Sequence, residues 1–180
     1  MQGFIVEDGS GLVDSTSYMS VADADSYHAL YGNLEWTSVT DADLKESALV
    51  KATKAIDLLY GEQFQSIPLT HSAYIQSLLW PRLTVIINGI QIVTTGQMPK
   101  QLKDATAEVA LMALNGVDVV AKPSRQAGIT SAQTQLDTLS SSVTYQKPVK
   151  TEQFTGFWKI EQILKPLLVA DGSTPSFFHL

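Results

Sequence analysis

Gln76-Ser-Leu-Leu-Trp-Pro-Arg82 is the stretch around which the rest of the chain is organised. Trp80 stands directly before Pro81, whose ring clashes with a helical residue in front of it, so the chain is extended there. Pro81 also fixes its own φ angle and donates no backbone hydrogen bond. The spacing therefore predicts a short helix from Ser72 to Leu79 that stops at this turn, with the Trp80 indole in the core and the Arg82 guanidinium at its edge.

Arg82 has two interpretations. Its guanidinium presents five donors in a rigid planar fork. It can therefore hold a helix end inside the domain, or it can clamp an anion or a neighbouring subunit. The structural interpretation is favoured, and neither interpretation involves catalysis.

The composition is typical of a globular protein with one domain. The chain has 180 residues, 44% of them hydrophobic and 17% charged, which is enough to bury a substantial core. It contains no cysteine, which excludes disulfides, thiolate metal sites and a cysteine nucleophile. No apolar run approaches the roughly 20 residues that span a bilayer, and the start lacks the basic region of a signal peptide. We therefore expect a soluble protein made and used in the cytoplasm, or carried from it in an assembly.

The charge balance argues against a standard duplex-binding domain. The formal net charge is −6, whereas such domains neutralise phosphates with basic residues. Gly9-Ser-Gly11 resembles the start of a dinucleotide loop, but no long strand precedes it and no βαβ unit follows. Glycines in a surface turn explain it better.

The first predicted helix runs from Val21 to Tyr31, capped by Ser20 and closed by Gly32. Its apolar face is predicted to include Tyr27, Leu30 and Tyr31. Three polar residues of this helix, Asp23, Asp25 and His28, converge poorly as metal ligands and are predicted to lie on a solvated face.

The second predicted helix is the clearest element, with a cap at Thr40 and its end at Gly61. It carries a narrow alanine-rich stripe that lets another helix approach closely, formed by Leu44, Ala48, Leu49, Ala52, Ala55, Ile56 and Leu59. Lys45, Lys51 and Lys54 lie off this stripe and are predicted to be solvated.

A β-hairpin is predicted from Leu83–Ile87 and Ile90–Thr94. The intervening Asn88-Gly89 is the strongest short hairpin signal, because both turn positions require positive φ. Two strands alone are barely stable in water. This hairpin must therefore lean on helices or on a neighbour's strands, and its edges suit pairing between subunits.

The second half of the chain begins with a third helix that Met98-Pro99 opens and that packs on the second. Residues 118–150 form a Ser/Thr-rich arm or long hairpin, with weak alternation at 129–133 and 142–145. A last helix opens at Thr151, and Pro166 ends or kinks it. Two adjacent aromatic residues in the tail, Phe177 and Phe178, are costly to leave in water, so they fold back or anchor in a partner.

Several of these motifs occur in a fixed order within about residues 1–150: Ile5-Val-Glu-Asp-Gly-Ser-Gly-Leu-Val-Asp14, Ser17-Tyr-Met-Ser-Val-Ala-Asp-Ala-Asp25, the alanine-rich helix, Gln76–Arg82, the hairpin, Met98-Pro-Lys100 and Ala105-Thr-Ala-Glu-Val-Ala110. This order resembles the head–tail connector (adaptor) proteins of tailed bacteriophages. Some members of that group are labelled DnaT-like single-stranded-DNA-binding proteins.

The resemblance implies a mainly α fold, a small helical bundle with an inserted β-hairpin and extended arms. It implies one adaptor domain at 1–170 and a docking tail at 171–180. The function implied is that of a structural virion protein at the neck, made in the host cytoplasm. Such proteins form a homo-oligomeric ring, usually of twelve copies, that docks on the portal protein and extends the DNA channel to a tail, stopper or nozzle protein.

The implied ring lets DNA pass without specific binding and contacts no membrane. We expect no enzymatic activity, no cofactor and no metal, since the three histidines are scattered and no serine lies in a nucleophile-elbow motif. The residues predicted to form interfaces are Trp80, Arg82, Asn88, Gly89, Trp158, Phe177 and Phe178, with Arg82 as a clamp and the two phenylalanines as portal-facing anchors.

Two other functions stay open. The alternative is a single-stranded-DNA-binding accessory protein that uses Trp36, Trp80 and Tyr74 as stacking platforms beside lysines. A weaker possibility is a small regulatory or chaperone protein that binds one partner transiently and stays monomeric.

Overall fold

Five α-helices and two β-hairpins make up the described part of the chain. The structure, a computed structural model, describes residues 3–69, 76–87, 89–92, 97–120, 129–133, 142–145 and 153–169. The helices are α1 (Val21–Tyr31), α2 (Leu34–Thr37), α3 (Ala42–Tyr60), α4 (Lys100–Leu114) and α5 (Gln153–Leu164), with 3-10 helices at Gly61–Gln63 and Lys165–Leu167. The strands are β1 (Val85–Ile87), β2 (Ile90–Ile92), β3 (Ile129–Gln133) and β4 (Ser142–Tyr145). The predicted fold class, a mainly α bundle with an inserted hairpin, is confirmed.

The ends of α1 are as predicted, but its apolar face is not. Ser20 Oγ accepts a 3.1 Å hydrogen bond from the Asp23 amide, and Gly32 closes the helix in the left-handed region at φ 68°. Leu30 is 81% exposed. His28, predicted to be solvated, is fully buried instead, because the helix turns that side towards α2 and α4.

The cap of α3 is Asp41 rather than Thr40, since its carboxylate accepts a 2.9 Å hydrogen bond from the Asp43 amide. The predicted end is confirmed, since α3 stops at Tyr60 with Gly61 as its C-cap, but the cap is not left-handed. Gly61 has a right-handed φ of −54°, and the chain continues through it into a 3-10 turn.

The core lies where α3 packs on α4, as predicted, and α4 also packs on α5. Alanines at the α3 surface let the two helices approach closely. The buried residues of α3 and α4 include Ala48, Leu49, Ala52, Ala55, Ile56, Leu102, Ala105, Val109 and Ala110. Leu44 is exposed, contrary to prediction, and the buried position beside it belongs to Lys45.

The first predicted hairpin is present, and the Ser/Thr-rich stretch, predicted as an arm or a long hairpin, contains a second; each is a two-stranded antiparallel sheet. In the first, Ile87 pairs with Ile90 and Ile86 with Gln91, and Gly89 has a φ of 78° that a tight turn requires. In the second, β3 pairs with β4, with an irregularity between Ile129 and Ser131.

The predicted helix before Trp80 is absent from its described part. Residues 76–79 are non-helical, because Gln76 Nε2 donates to the carbonyls of Leu78 at 2.7 Å and Pro81 at 3.0 Å and so stabilises a turn. The remainder of that prediction, residues 72–75, lies outside the described residues. The Trp80–Pro81 peptide bond is cis. At the other end of the chain, α5 stops at Leu164, two residues before Pro166, as predicted.

Candidate assembly surface

Trp80 and Arg82, two of the predicted interface residues, lie inside the domain. Trp80 is 0% exposed and packs edge-on against Phe64, with ring centroids 5.4 Å apart. Arg82 is 4% exposed. Neither side chain can reach a second subunit from this position, so their assignment to an interface is corrected, and the structural interpretation of Arg82 fits its contacts.

The Arg82 guanidinium holds a loop through the carbonyl groups of that loop. Nη1 donates to the Ser66 carbonyl at 2.5 Å, and Nη2 donates to the Gly61 carbonyl at 3.3 Å. Burial lowers the pKa of Arg82 below its usual value. The carbonyl oxygens replace water around the charge and fix the loop 61–66 beside the start of β1.

A second buried cluster joins the turn at residues 76–81 to α3. Asp57 accepts hydrogen bonds from the Tyr18 hydroxyl and, at 3.2 Å, from the Leu79 amide. The Trp80 amide donates to the Tyr18 hydroxyl oxygen at 3.3 Å. Burial raises the pKa of Asp57 to about 6. These hydrogen bonds join α3 to the turn at residues 76–81, which precedes the first hairpin.

Trp36 is buried as well, so it offers no stacking platform. Its indole nitrogen donates a 2.7 Å hydrogen bond to Asp25 Oδ1, and Lys45 Nζ lies 5.5 Å from the ring centroid. Lys45 also pairs with the same carboxylate oxygen at 2.7 Å. Lys45, predicted to be solvated, is buried instead, and Asp25, whose side chain is 48% exposed, is its counter-charge.

The glycine turn near the N-terminus binds its own carboxylate. Glu7 is 2% exposed, and its Oε1 accepts hydrogen bonds from the amides of Gly9 at 3.0 Å and Gly11 at 2.9 Å. Its Oε2 accepts from the Leu12 amide at 2.9 Å and the Ser15 hydroxyl at 2.8 Å. Amides that could cradle a phosphate are therefore occupied by Glu7, in agreement with a structural turn.

The first hairpin is the predicted interface element that the structure leaves exposed. Val85 faces the core, but Ile86 is 55% exposed and Ile90 is 68% exposed. The turn residue Gly89 is exposed too. Ile86 pairs with Gln91 and Ile87 with Ile90, so Ile86 and Ile90 lie on opposite faces of the hairpin, and each face exposes an apolar side chain.

Trp158 is the one tryptophan of the three that is exposed, at 64%. Trp158 precedes Lys159 on α5, and the ammonium of Lys159 pairs with Glu108 at 2.6 Å. Glu108 accepts a 2.7 Å hydrogen bond from the Tyr27 hydroxyl, so α1, α4 and α5 meet beside Trp158. This position is consistent with its predicted interface role.

A further apolar patch lies at the corner between α1 and α2. Leu30, Tyr31 and Leu34 are all exposed there, flanking the turn at Gly32. Sequence periodicity missed this patch because Leu30 and Tyr31 share the helical spacing of core residues. Only the direction in which α4 lies relative to α1 distinguishes an exposed residue from a core residue at this spacing.

Lys51 and Lys54 are exposed, as predicted. They border a groove of about 560 Å³ whose apolar lining includes Val50, Leu58 and Val120. Exposed apolar surface is therefore spread over several sides of the domain.

Several predicted residues lie outside the described part of the chain, and their roles stay predictions: Tyr74, Asn88, Phe177 and Phe178. Within the described residues, no three histidine or acidic side chains lie together as a metal site would require. None of the described helices has the length and apolar character needed to cross a membrane.

These features define a small, mainly helical domain with an inserted β-hairpin. Residues 2–179 match the family described as "Putative DnaT-like ssDNA binding protein", and the chain belongs to this family. Searches of curated proteins and of solved structures gave no match. The match accounts for the DnaT-like part of the predicted resemblance, and the head–tail adaptor assignment stays a prediction.

Proposed function

We propose that this protein is a structural assembly protein, a head–tail adaptor that forms a ring on the portal of a tailed phage and extends the DNA channel towards the tail. The observation that carries the proposal is the first hairpin. It is a two-stranded sheet that exposes Ile86 and Ile90 at the surface. A pair of strands is marginal in water, and pairing with a neighbour is the usual way to complete it.

The distribution of exposed apolar residues supports a ring rather than a simple pair. The hairpin and the α1–α2 corner at Leu30 and Leu34 belong to different elements of the domain. Contacts between two unlike surfaces are heterologous and generate rings when the rotation closes. A twofold dimer would need only one self-complementary surface.

The charge of the chain also suits a DNA channel. A net charge of −6 does not favour a firm grip on phosphates. DNA can therefore slide through a ring of such subunits.

Native mass spectrometry tests the proposal, with the protein mixed with the portal ring of the same phage and a single-stranded oligonucleotide as competitor. We expect a fixed number of copies per portal subunit and free oligonucleotide. A protein that ignores the portal and binds the oligonucleotide contradicts the adaptor function. A variant lacking residues 171–180 tests separately whether Phe177 and Phe178 anchor the ring.

Single-stranded-DNA binding is the second candidate, and the family description favours it over the adaptor function. The expected stacking residues Trp36 and Trp80 are buried, so a DNA site needs other aromatic rings. Trp158 beside Lys159 and exposed Tyr31 are the described residues that offer a ring near a cation.

Intrinsic fluorescence tests this candidate directly, because Trp158 is the exposed tryptophan and the other two are buried. Stacking should quench Trp158 on addition of an oligonucleotide, with an affinity that falls steeply as salt rises. Trp158→Ala should remove the response, and Leu34→Ala is the matched control on another exposed patch. Unchanged fluorescence at low salt excludes stacking at Trp158.

A further inference from the structure

The two outer edges of the first hairpin differ. The outer edge of β1 is covered by the side chain of Gln65. Its Oε1 accepts a 3.0 Å hydrogen bond from the Ile86 amide, and its Nε2 lies 3.2 Å from the Ile86 carbonyl. Nε2 also donates to the Pro166 carbonyl at 2.9 Å. A side chain thus pairs with β1 as a neighbouring strand would.

None of the described residues covers the outer edge of β2. In a hairpin with a two-residue loop, Ile87 and Ile90 form the hydrogen-bonded pair, so the backbone groups of the next pair, Ile86 and Gln91, point outwards. Gln91 is exposed. Within the described part of the chain, neither its amide nor its carbonyl has a hydrogen-bond partner. This edge can accept another strand, whereas β1 cannot without displacing Gln65.

The described part of the chain contains a second two-stranded sheet, β3 and β4. Among the described elements, β3 and β4 pair with each other and pack extensively on no other. The irregularity between Ile129 and Ser131 lies in β3, and bulges twist an edge away from further pairing. Residues 142–145 of β4 are regular, so β4 is the better strand to add to a neighbouring sheet.

We propose that the open edge of β2 in one subunit pairs with β4 of the next subunit, which makes a four-stranded sheet across each subunit contact. The inference rests on the proposed ring and names the contact that builds it. Acceptor and donor strands are different elements, so the contact is heterologous, as a closed ring requires. Backbone hydrogen bonds supply the affinity of such strand addition.

Disulfide trapping tests the pairing, since the chain has no cysteine of its own. Gln91→Cys protein is mixed with protein carrying one cysteine at position 142, 143, 144 or 145, so that any cross-link between the two proteins joins two subunits. Ile86→Cys is the matched control, because Ile86 and Gln91 are a cross-strand pair on the same face. Ile86 lies one strand, about 5 Å, further from the added strand than Gln91 does, so a disulfide from position 86 cannot reach that strand.

A proline provides a second test. Proline is tolerated in an edge strand where its missing amide would face outwards. Gln91→Pro should therefore keep the hairpin and remove one donor to the neighbour. We expect the concentration for half-assembly to rise at least about tenfold, while Gln91→Thr, which keeps the amide, assembles as the parent does.

Native mass spectrometry of the same mixtures separates the outcomes. A ring in which the Gln91→Cys protein cross-links to a β4 position and the Ile86→Cys protein does not supports the pairing. A ring in which Gln91→Cys cross-links at none of the four positions, or in which Ile86→Cys cross-links equally well, overturns the pairing and leaves the adaptor function standing. A protein that stays monomeric with and without the portal overturns both.

Discussion

The indole nitrogen of Trp36 and the ammonium of Lys45 donate to the same oxygen, Asp25 Oδ1, each at 2.7 Å. One carboxylate thus joins α1, α2 and α3. Burial opposes ionisation of Asp25, but the hydrogen bonds from Lys45 and Trp36 outweigh it, and the pKa of Asp25 lies below its usual value. Asp25 therefore stays charged opposite a buried lysine.

Asp25→Asn should destabilise the fold by about 1–3 kcal/mol, because Lys45 then lies buried without a counter-charge. Asp23→Asn is the matched control, since Asp23 is also about half exposed but pairs at 3.1 Å with Lys103, which is 35% exposed rather than buried, and such surface pairs contribute less than about 1 kcal/mol. Urea unfolding at pH 7 measures both. Equal losses in the two variants contradict the prediction.

Asp57 should make part of the stability depend on pH. Its pKa rises from 3.8 to about 6 on folding because the carboxyl is buried, so between these values the folded state binds more protons than the unfolded chain. The contribution of Asp57 is full below about pH 4 and is lost as pH rises through about 6. Its size is about 3 kcal/mol.

Urea unfolding from pH 4 to 8 isolates this effect when the parent is compared with Asp57→Asn. The stability of the parent relative to Asp57→Asn should fall over this pH range by up to about 3 kcal/mol. Asp14→Asn removes an exposed carboxylate and should run parallel to the parent. A pH-independent difference between the parent and Asp57→Asn shows that the carboxyl does not titrate in this range.

Glu7→Gln should loosen the N-terminal turn. One of the two Glu7 oxygens becomes an amide nitrogen, which then faces donors such as the Leu12 amide or the Ser15 hydroxyl. Leaving those donors unpaired costs about 2 kcal/mol. Hydrogen exchange of the amides of Gly9, Gly11 and Leu12 should speed up, whereas Asp8→Asn, at an exposed position whose carboxylate accepts from the Ser10 amide instead, should change these three little. Unaltered exchange in Glu7→Gln means that Glu7 does not organise the turn.

Arg82→Met should destabilise the domain by about 3 kcal/mol, because the carbonyls of Gly61 and Ser66 lose their donor in a buried site. Lys54→Met, at an exposed position, should stay within about 0.5 kcal/mol of the parent. Among molecules that remain folded, assembly should be unchanged by Arg82→Met. A stable Arg82→Met protein that fails to assemble restores the interface clamp.

Local signals predicted much of the fold. Gly32 and Gly89 both adopt positive φ where the sequence placed a helix end and a turn, because such positions depend on backbone sterics alone. The weak alternation at 129–133 and 142–145 likewise matched two strands. The cap of α3 was displaced by one residue, since Thr40 and Asp41 are both acceptable caps and only geometry selects between them.

The candidate surface was less predictable, since exposure depends on what packs nearby. The role of Trp158 stays a prediction, although its exposure is now known. Lys45 and His28 were wrongly predicted to be solvated, because the polar partner of each lies outside its own helix. Lys45 pairs with Asp25 and His28 with Asn33.

The sequence by itself determined helices α1, α3, α4 and α5, the first hairpin and the burial of Trp80, because these follow from periodicity, turn residues and the restraints of proline. Tertiary structure alone decided which polar groups are interior and which strand edge is open. Gln65 reaches β1 across 21 residues of chain, and no local pattern encodes a contact whose partners meet only after the chain has folded.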